Sequence, residues 1–247
     1  MKPFFKSFIQ FYLKILTKFV LWRHKPFIIA VSGTTNKTVV KDYILKFLRE
    51  KYGEEEVRAN PRSFNTEIGL PLAILYLDSG YLSFLKWAGI LASGTVKALF
   101  ARNFPSKLVL ELGIESEGDM KYLLGIVNPD IAILTNIETS FSDPSSGLEE
   151  LFEEFKYLAN KIKKDGKLIL NIDDSRVRNL KKLTSAEVVT YGFSEDSDAH
   201  VSNLKNDVEG QEFDFTFKSN GERVKIKKYG KHFVYAWMVA KIIKDIL

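Results

Sequence analysis

The sequence has no cysteine in 247 residues. That excludes disulfides, cysteine-ligated zinc and a thiol nucleophile, and it fits a reducing compartment. Histidine is nearly as scarce. His24, His200 and His232 are scattered and suggest no metal cluster. No uncharged apolar stretch reaches the roughly 18 residues expected of a membrane-spanning helix. The N-terminal stretch is hydrophobic but broken by Lys6, Lys14 and Lys18. It has no small-residue cleavage site, which argues against a signal peptide. There is also no low-complexity tract, internal repeat or obvious flexible linker, so wholesale disorder is not expected.

Apolar residues make up 45% of the chain and aromatic residues 13%. That supplies a sizeable core for one large domain, or one domain and an appendage. The formal net charge is +5. Much of the excess lies in Lys2, Lys6, Lys14, Lys18, Arg23 and Lys25, with no acid among the first 25 residues. The remainder is nearly balanced, which disfavours a nucleic-acid face. The basic N-terminus suits an anionic membrane surface or an acidic partner better.

From Phe4 to Trp22 the polar residues Lys6, Ser7, Gln10, Lys14, Thr17 and Lys18 recur at steps of three and four. This spacing predicts an amphipathic helix with a wide apolar face and with Lys6, Gln10, Lys14 and Lys18 toward water. Two covers for that face stay open: protein, or a membrane interface. Downstream, apolar runs at residues 27–31, 108–112, 131–136, 167–171 and 188–192 alternate with helical patterns. The alternation predicts an α/β fold of the phosphate-loop type, a mostly parallel sheet with helices on both faces. Strand-like alternation at 199–204, 212–218 and 223–228, with a turn at Ser219-Asn220-Gly221, adds a small antiparallel appendage spanning about 195–229. The expected organisation is a helix over 1–25 and a domain over 26–247.

The first strand leads into Gly33-Thr34-Thr35-Asn36-Lys37-Thr38 and then a helix. Strand, glycine loop, Lys-Thr and helix is the layout of a phosphate-binding loop, in which backbone amides and the helix N-terminus receive the anion. Asn36 stands where such loops carry glycine; asparagine tolerates positive φ better than most residues but adds bulk. A plain strand-to-helix turn is the other reading.

Six blocks stand in order along the chain: residues 28–38, Asn65-Thr66-Glu67-Ile68-Gly69-Leu70-Pro71, Leu108 to Gly113, Gly118 to Asn136, Leu170 to Asp174, and Tyr191-Gly192 with Gly230-Lys231-His232. Together they resemble the central ATP-binding domain of the Mur ligases. The pattern is most like the branch that joins D-alanyl-D-alanine to a UDP-muramoyl tripeptide. The resemblance implies an ATP-dependent amide ligase of cell-wall precursor synthesis in the cytoplasm. In the family a carboxylate is phosphorylated by ATP, and an amine attacks the acyl phosphate. It implies ATP on Gly33, Thr34, Thr35, Asn36, Lys37, Thr38 and Asn136, with Mg²⁺ on Thr38 and Glu111 and catalytic roles for Lys37 and Glu111. Each residue also has a structural reading: Glu111 as a paired carboxylate, Asn136 as a turn former, Asp173-Asp174 as a helix N-cap and His232 as structural.

The sequence departs from the family at several places. Asn36 replaces a loop glycine. Glu138 and Phe141 stand at a glycine and a metal-binding histidine. Phe155 occupies the position of a carbamylated lysine, or Lys156 is displaced from it by one. Phe233 and Ala236 stand at asparagines near the adenine. The family's flanking domains have no counterpart in these residues; the helix over 4–22 stands where a nucleotide-sugar domain would. A second expectation is therefore a degenerate nucleotide-binding or scaffold subunit. It would act with a partner supplying the missing domains, or on the inner membrane face through residues 4–22.

Overall fold

The computed structural model describes residues 3–61, 64–81, 83–139 and 147–247. Six strands run parallel: β1 (Phe27–Ser32), β2 (Val57–Ala59), β3 (Lys107–Glu111), β4 (Ile131–Leu134), β5 (Lys167–Asn171) and β6 (Glu187–Gly192). In β1, β3, β4 and β5 the central residues are aliphatic and buried on both faces, which only a sheet covered by helices on both sides allows. Three further strands, β7 (Ala199–Asp207), β8 (Gly210–Phe217) and β9 (Asn220–Ile226), complete a single sheet of order β2-β3-β1-β4-β5-β6-β7-β8-β9. The expected antiparallel group is present and continues this sheet, since β7 joins β6 in parallel before pairing antiparallel with β8. Its last turn lies one to two residues earlier than expected. Lys218 and Ser219 both take positive φ, and Asn220 already pairs with Phe217. That is the two-residue hairpin whose twist matches its strands.

One sheet face is covered by α2 (Lys37–Tyr52) and α8 (Lys231–Ile246), and Trp237 meets the rings of Phe213 and Phe215 edge-on. The other face is covered by α3 (Gly69–Leu75), α5 (Asp119–Leu124), α6 (Leu148–Lys161) and α7 (Ser175–Leu180). Beyond α3 lies an extra layer of α1 (Pro3–His24) and α4 (Phe84–Phe100). Every residue of α3 is consequently buried. Leu70 and Ile74 belong to the sheet-side cluster, while Leu72 and Leu75 join Ile9, Leu13, Val20 and Trp87 beneath the outer helices. A helix apolar all round, as α3 is, requires such a two-sided cover.

The expected helix at 4–22 forms with Lys6 and Lys18 exposed as expected, but Gln10 and Lys14, the middle of the stripe expected to face water, are only half-exposed. Thr17 is fully buried, and Lys14 lies with its ammonium 4.5 Å from the centre of the Tyr122 ring. Phe4, Phe8, Phe11, Ile15 and Trp22 are exposed instead. The apolar arc is wider than α3 and α4 can cover. The helix therefore seats Ile9, Leu13 and Val20, and the long Lys14 stem can lie along the protein with its charge over an aromatic face.

Leu112 N–H still bonds to Val31 O (2.9 Å) beyond the end of β3, and Thr135 N–H to Ser32 O (3.0 Å) beyond β4. The chain passes from β1 to β2 and β3 on one side, then crosses to β4 on the other. This reversal opens a crevice beyond the C-terminal ends of β1 and β4, where open α/β sheets bind ligands. Because Ile74 sits between two packed layers, Ile74→Ala should destabilise the fold by about 2–5 kcal/mol, whereas exposed Leu85→Ala should stay within about 0.5 kcal/mol. Urea denaturation of the two variants beside the parent checks the difference.

Candidate nucleotide site

The loop after β1 is held down on the end of β4. Gly33 has φ +131°, and a Cβ there would stand 2.1 Å from Thr135 Oγ1. Only glycine accommodates both the angle and the approach. Asn136 then grips the next two residues. Thr34 N–H donates to Asn136 O (3.0 Å), Thr35 N–H donates to Asn136 Oδ1 (3.0 Å), and Asn136 Nδ2 donates to Thr35 Oγ1 (2.7 Å). Thr135 Oγ1 adds a bond to Thr35 O (2.8 Å). Asn36 takes φ 63° and ψ 0°, the left-handed conformation that glycine supplies elsewhere, so asparagine meets the backbone requirement of its position. Helix α2 begins at Lys37, with Val40 N–H bonded to Asn36 O (3.1 Å). The amides ahead of Val40 lie in the first turn, where a helix has no internal acceptor for them.

Lys37 Nζ donates to Gly33 O (2.7 Å) and Thr34 O (3.0 Å), folding back over its own loop. Burial pushes its pKa down from the ordinary lysine value, and the charge of Glu111 opposes that shift. Glu111, at the end of β3, is 5% exposed. Thr38 Oγ1 donates to its Oε2 (2.9 Å) and Asn65 Nδ2 to its Oε1 (2.9 Å). Its backbone N–H donates to Asn60 Oδ1 (2.8 Å), and Lys41 Nζ donates to Asn60 O (2.8 Å). The carboxylate is thus fixed in orientation and aimed at the loop. Among the described residues no group of three or more His, Cys, Asp or Glu could hold a metal. A cation here would rest on Thr38 and Glu111 and complete its shell with ligand oxygens and water. That hard-oxygen set suits Mg²⁺, which usually takes one or two carboxylates together with phosphates.

The sequence-derived positions Gly33, Thr34, Thr35, Asn36, Lys37, Thr38, Glu111 and Asn136 therefore meet at one rim. Beside them opens a cleft of ≈ 380 Å³ lined in part by Asn36, Asn136, Asn171, Asp173, Arg176 and Tyr235. Of the last four, the sequence assigns no role to Asn171, Arg176 and Tyr235, and Asp173 reads with Asp174 as a helix N-cap. Asn171 and Asp173 were within reach through the Leu-Asn-Ile-Asp-Asp block. Nothing in the composition of α8 distinguishes Tyr235 from its neighbours. Asp174 caps α7, accepting from the N–H groups of Arg176 and Val177 (both 2.9 Å). Asp173 accepts from Phe193 N–H (2.7 Å), Ser194 N–H (3.0 Å) and Tyr235 Oη (2.7 Å). Burial and then that carboxylate keep the Tyr235 phenol protonated well above its usual range.

The departing positions also have places. Phe155 is fully buried in the sheet-side core, and Lys156 points outward onto Glu153 (2.7 Å). Ala236 is core, while Phe233 packs on His232 and Tyr43. Glu138 is exposed, with its N–H on Thr34 Oγ1 (3.0 Å). Phe141 lies outside the described residues.

The Mur ligase middle domain model matches residues 95–243, more than half of the chain. The chain belongs to the Mur ligase family. Among curated relatives of this family, the UDP-N-acetylmuramoyl-tripeptide–D-alanyl-D-alanine ligase of Bacillus subtilis is 28% identical over 213 residues, covering 86% of this chain and 40% of that protein. The UDP-N-acetylmuramate–L-alanine ligase of Dictyoglomus turgidum is 33% identical over 137 residues, 55% of this chain and 28% of that protein. Among solved structures, MurF from Acinetobacter baumannii superposes with a TM-score of 0.75 at 17% identity, covering 95% of this chain and 46% of that one. MurF from Thermotoga maritima in complex with ADP gives 0.73 at 20% identity, with 95% and 48% covered. At those identities the structures attest the fold. The chain spans less than half the length of each of these four relatives.

Since Asn36 already occupies the left-handed region, Asn36→Gly should leave stability within about 1 kcal/mol of the parent, while β-branched Asn36→Val should cost about 1–3 kcal/mol through backbone strain. Thermal melting of both variants tests this.

Proposed function

We propose that this chain binds Mg²⁺-ATP at the loop 33–38 as the central unit of an ATP-dependent amide ligase acting on a UDP-muramoyl-peptide. The observation that carries the reading is the 2.9 Å contact of Thr38 Oγ1 with the buried carboxylate of Glu111, beside a loop whose lysine and helix-start amides face the same crevice. Bound Mg²⁺ would neutralise charge on the terminal phosphates. The chain's own residues supply the rest. Gly33 and Asn136 hold the loop against β4 so that the amides around Asn36, Lys37 and Thr38 converge on an anion. Lys37 would exchange two backbone carbonyls for phosphate oxygens and so restore the favourable surroundings that burial removes. Asn60 and Asn65 keep Glu111 from turning away. Asp173, Arg176 and Tyr235 give the nucleoside a polar-walled cleft.

The named relatives are ligases of muramoyl precursors, one of them of a UDP-muramoyl tripeptide and D-alanyl-D-alanine. They supply the substrate class of the proposal. Because the chain corresponds to a minority of their length, the amino-acid and nucleotide-sugar sites would come from outside these residues, including from a partner protein. The reading places the chain in the cytoplasm, where ATP is available; none of its described helices is long and apolar enough to cross a membrane.

A second reading, a nucleotide-binding scaffold without turnover, is favoured by one observation. The position that resembles a carbamylated lysine is Phe155, wholly buried in the core, and the half-exposed Lys156 pairs with Glu153 on its own helix. Calorimetric titration with Mg²⁺-ATP tests binding, and ADP release that requires both UDP-muramoyl tripeptide and D-alanyl-D-alanine, measured with the chain completed by the protein that supplies the missing sites, decides for the ligase over the scaffold. Lys37→Ala should weaken binding about tenfold or more, the equivalent of losing a charge-assisted contact of about 1.5–3 kcal/mol. Glu111→Gln should abolish most of the difference between Mg²⁺-containing and EDTA-containing titrations. Unchanged affinity in Lys37→Ala would reduce the loop to a turn.

A further inference from the structure

The outer layer of α1 and α4 leaves a broad apolar surface uncovered. The helices run side by side in the same direction. Phe5 meets Phe84 with ring centres 5.0 Å apart, Tyr12 Oη bonds to Thr95 Oγ1 (2.7 Å), and Arg23 Nη1 reaches Leu99 O (2.6 Å). On α1 the exposed positions Phe4, Phe8, Phe11, Ile15 and Trp22 fall on one stripe, on the flank toward α4. On α4 the exposed Leu85, Ala88, Ala92, Val96 and Leu99 recur every three or four residues and form a second stripe parallel to the first. At 1.5 Å per residue, α1 alone is about 33 Å long. Soluble monomers rarely show a continuous apolar face of this extent unless something docks there.

Charge identifies the occupant. Helices α1 and α4 contain six cations, Lys6, Lys14, Lys18, Arg23, Lys86 and Lys97, and no acid. The whole chain has a formal charge of +5, so everything outside these two helices sums to one negative unit. The protein's entire positive excess is thus confined to the layer that carries its bare apolar surface. Lys18 and Lys86 are exposed beside the two stripes. Aromatic side chains flanked by cations, on helices not long and apolar enough to cross a bilayer, match a surface lying in the headgroup region of an anionic membrane. We propose that the α1–α4 face docks on an anionic lipid surface, with Phe4, Phe8, Phe11, Trp22, Leu85, Val96 and Leu99 inserted to the acyl boundary and Lys18 and Lys86 on the headgroups. The proposal rests on this surface alone and is independent of nucleotide binding.

The test is vesicle sedimentation of the full chain at low salt, with neutral phosphatidylcholine vesicles and with equal mixtures of phosphatidylcholine and phosphatidylglycerol. Emission from Trp22 gives a second reading, since Trp22 is 70% exposed and Trp87 only 3%. The chain should sediment with the anionic vesicles and stay in the supernatant with the neutral ones, with a blue shift absent from Trp22→Phe. Lys18→Glu and Lys86→Glu should each weaken partitioning about fivefold or more, as each surface cation contributes about that factor. Phe11→Glu/Val96→Glu should abolish it while leaving the melting temperature near that of the parent, both positions being exposed. Recovery of the parent in the supernatant with both vesicle types would overturn the proposal. So would equal sedimentation with neutral and anionic vesicles. A parent dimer that Phe11→Glu/Val96→Glu makes monomeric, with no vesicle binding, would assign the face to a second copy of the chain.

Discussion

The grip of Asn136 on the loop that follows β1 is the contact on which the candidate site depends. It lies where the winding of the sheet reverses, so the two strands it ties together, β1 and β4, are adjacent in space but about a hundred residues apart in sequence. Without a side chain at Gly33 the loop can settle within contact distance of Thr135. With Asn136 bonded to Thr34 and Thr35 it cannot lift away. Everything downstream inherits that position: the left-handed turn at Asn36, the start of α2, and the reach of Thr38 to Glu111. The loop is held by bonds formed within the protein, so little further ordering would oppose an anion that binds there.

A second constraint comes from α3. A seven-residue helix with every residue buried cannot be the outer surface of anything, and α1 and α4 are the layer that covers it. Their inner faces are used up on α3, and their outer faces still carry Phe4, Phe8, Phe11, Trp22, Leu85, Val96 and Leu99. The layer thus solves one burial problem and creates another. The positive charge concentrated in the same two helices, against a nearly neutral remainder, is the feature on which the proposed lipid docking rests.

Most of the sheet was legible in the sequence because parallel strands buried on both faces are continuous apolar runs, and their lengths and spacings survive without knowledge of tertiary contacts. The three-residue β2 lies within a charged stretch, 51–63, that holds no apolar run to mark it, because an edge strand needs few apolar residues. The loop residues were legible through their strand-glycine-lysine-helix layout, and Glu111 only through the resemblance of Leu108 to Gly113 to the family's block. The orientation of α1 was not. A helix with apolar residues on most of its circumference has several faces it could bury, and only the shapes of α3, α4 and the Tyr122 ring select one. Tyr235 was hidden for a related reason: whether an aromatic residue of α8 faces the core or the cleft depends on where Asp173 lies, 62 residues earlier.

The most direct measurement of nucleotide binding at this loop is a crystal structure of the chain with Mg²⁺ and a non-hydrolysable ATP analogue. The terminal phosphates are expected on the amides around Asn36, Lys37 and Thr38, with Lys37 Nζ withdrawn from the carbonyls of Gly33 and Thr34 onto phosphate oxygens. The base is expected in the cleft bordered by Asp173, Arg176 and Tyr235. A nucleotide bound elsewhere, with Lys37 still on those two carbonyls, would contradict it.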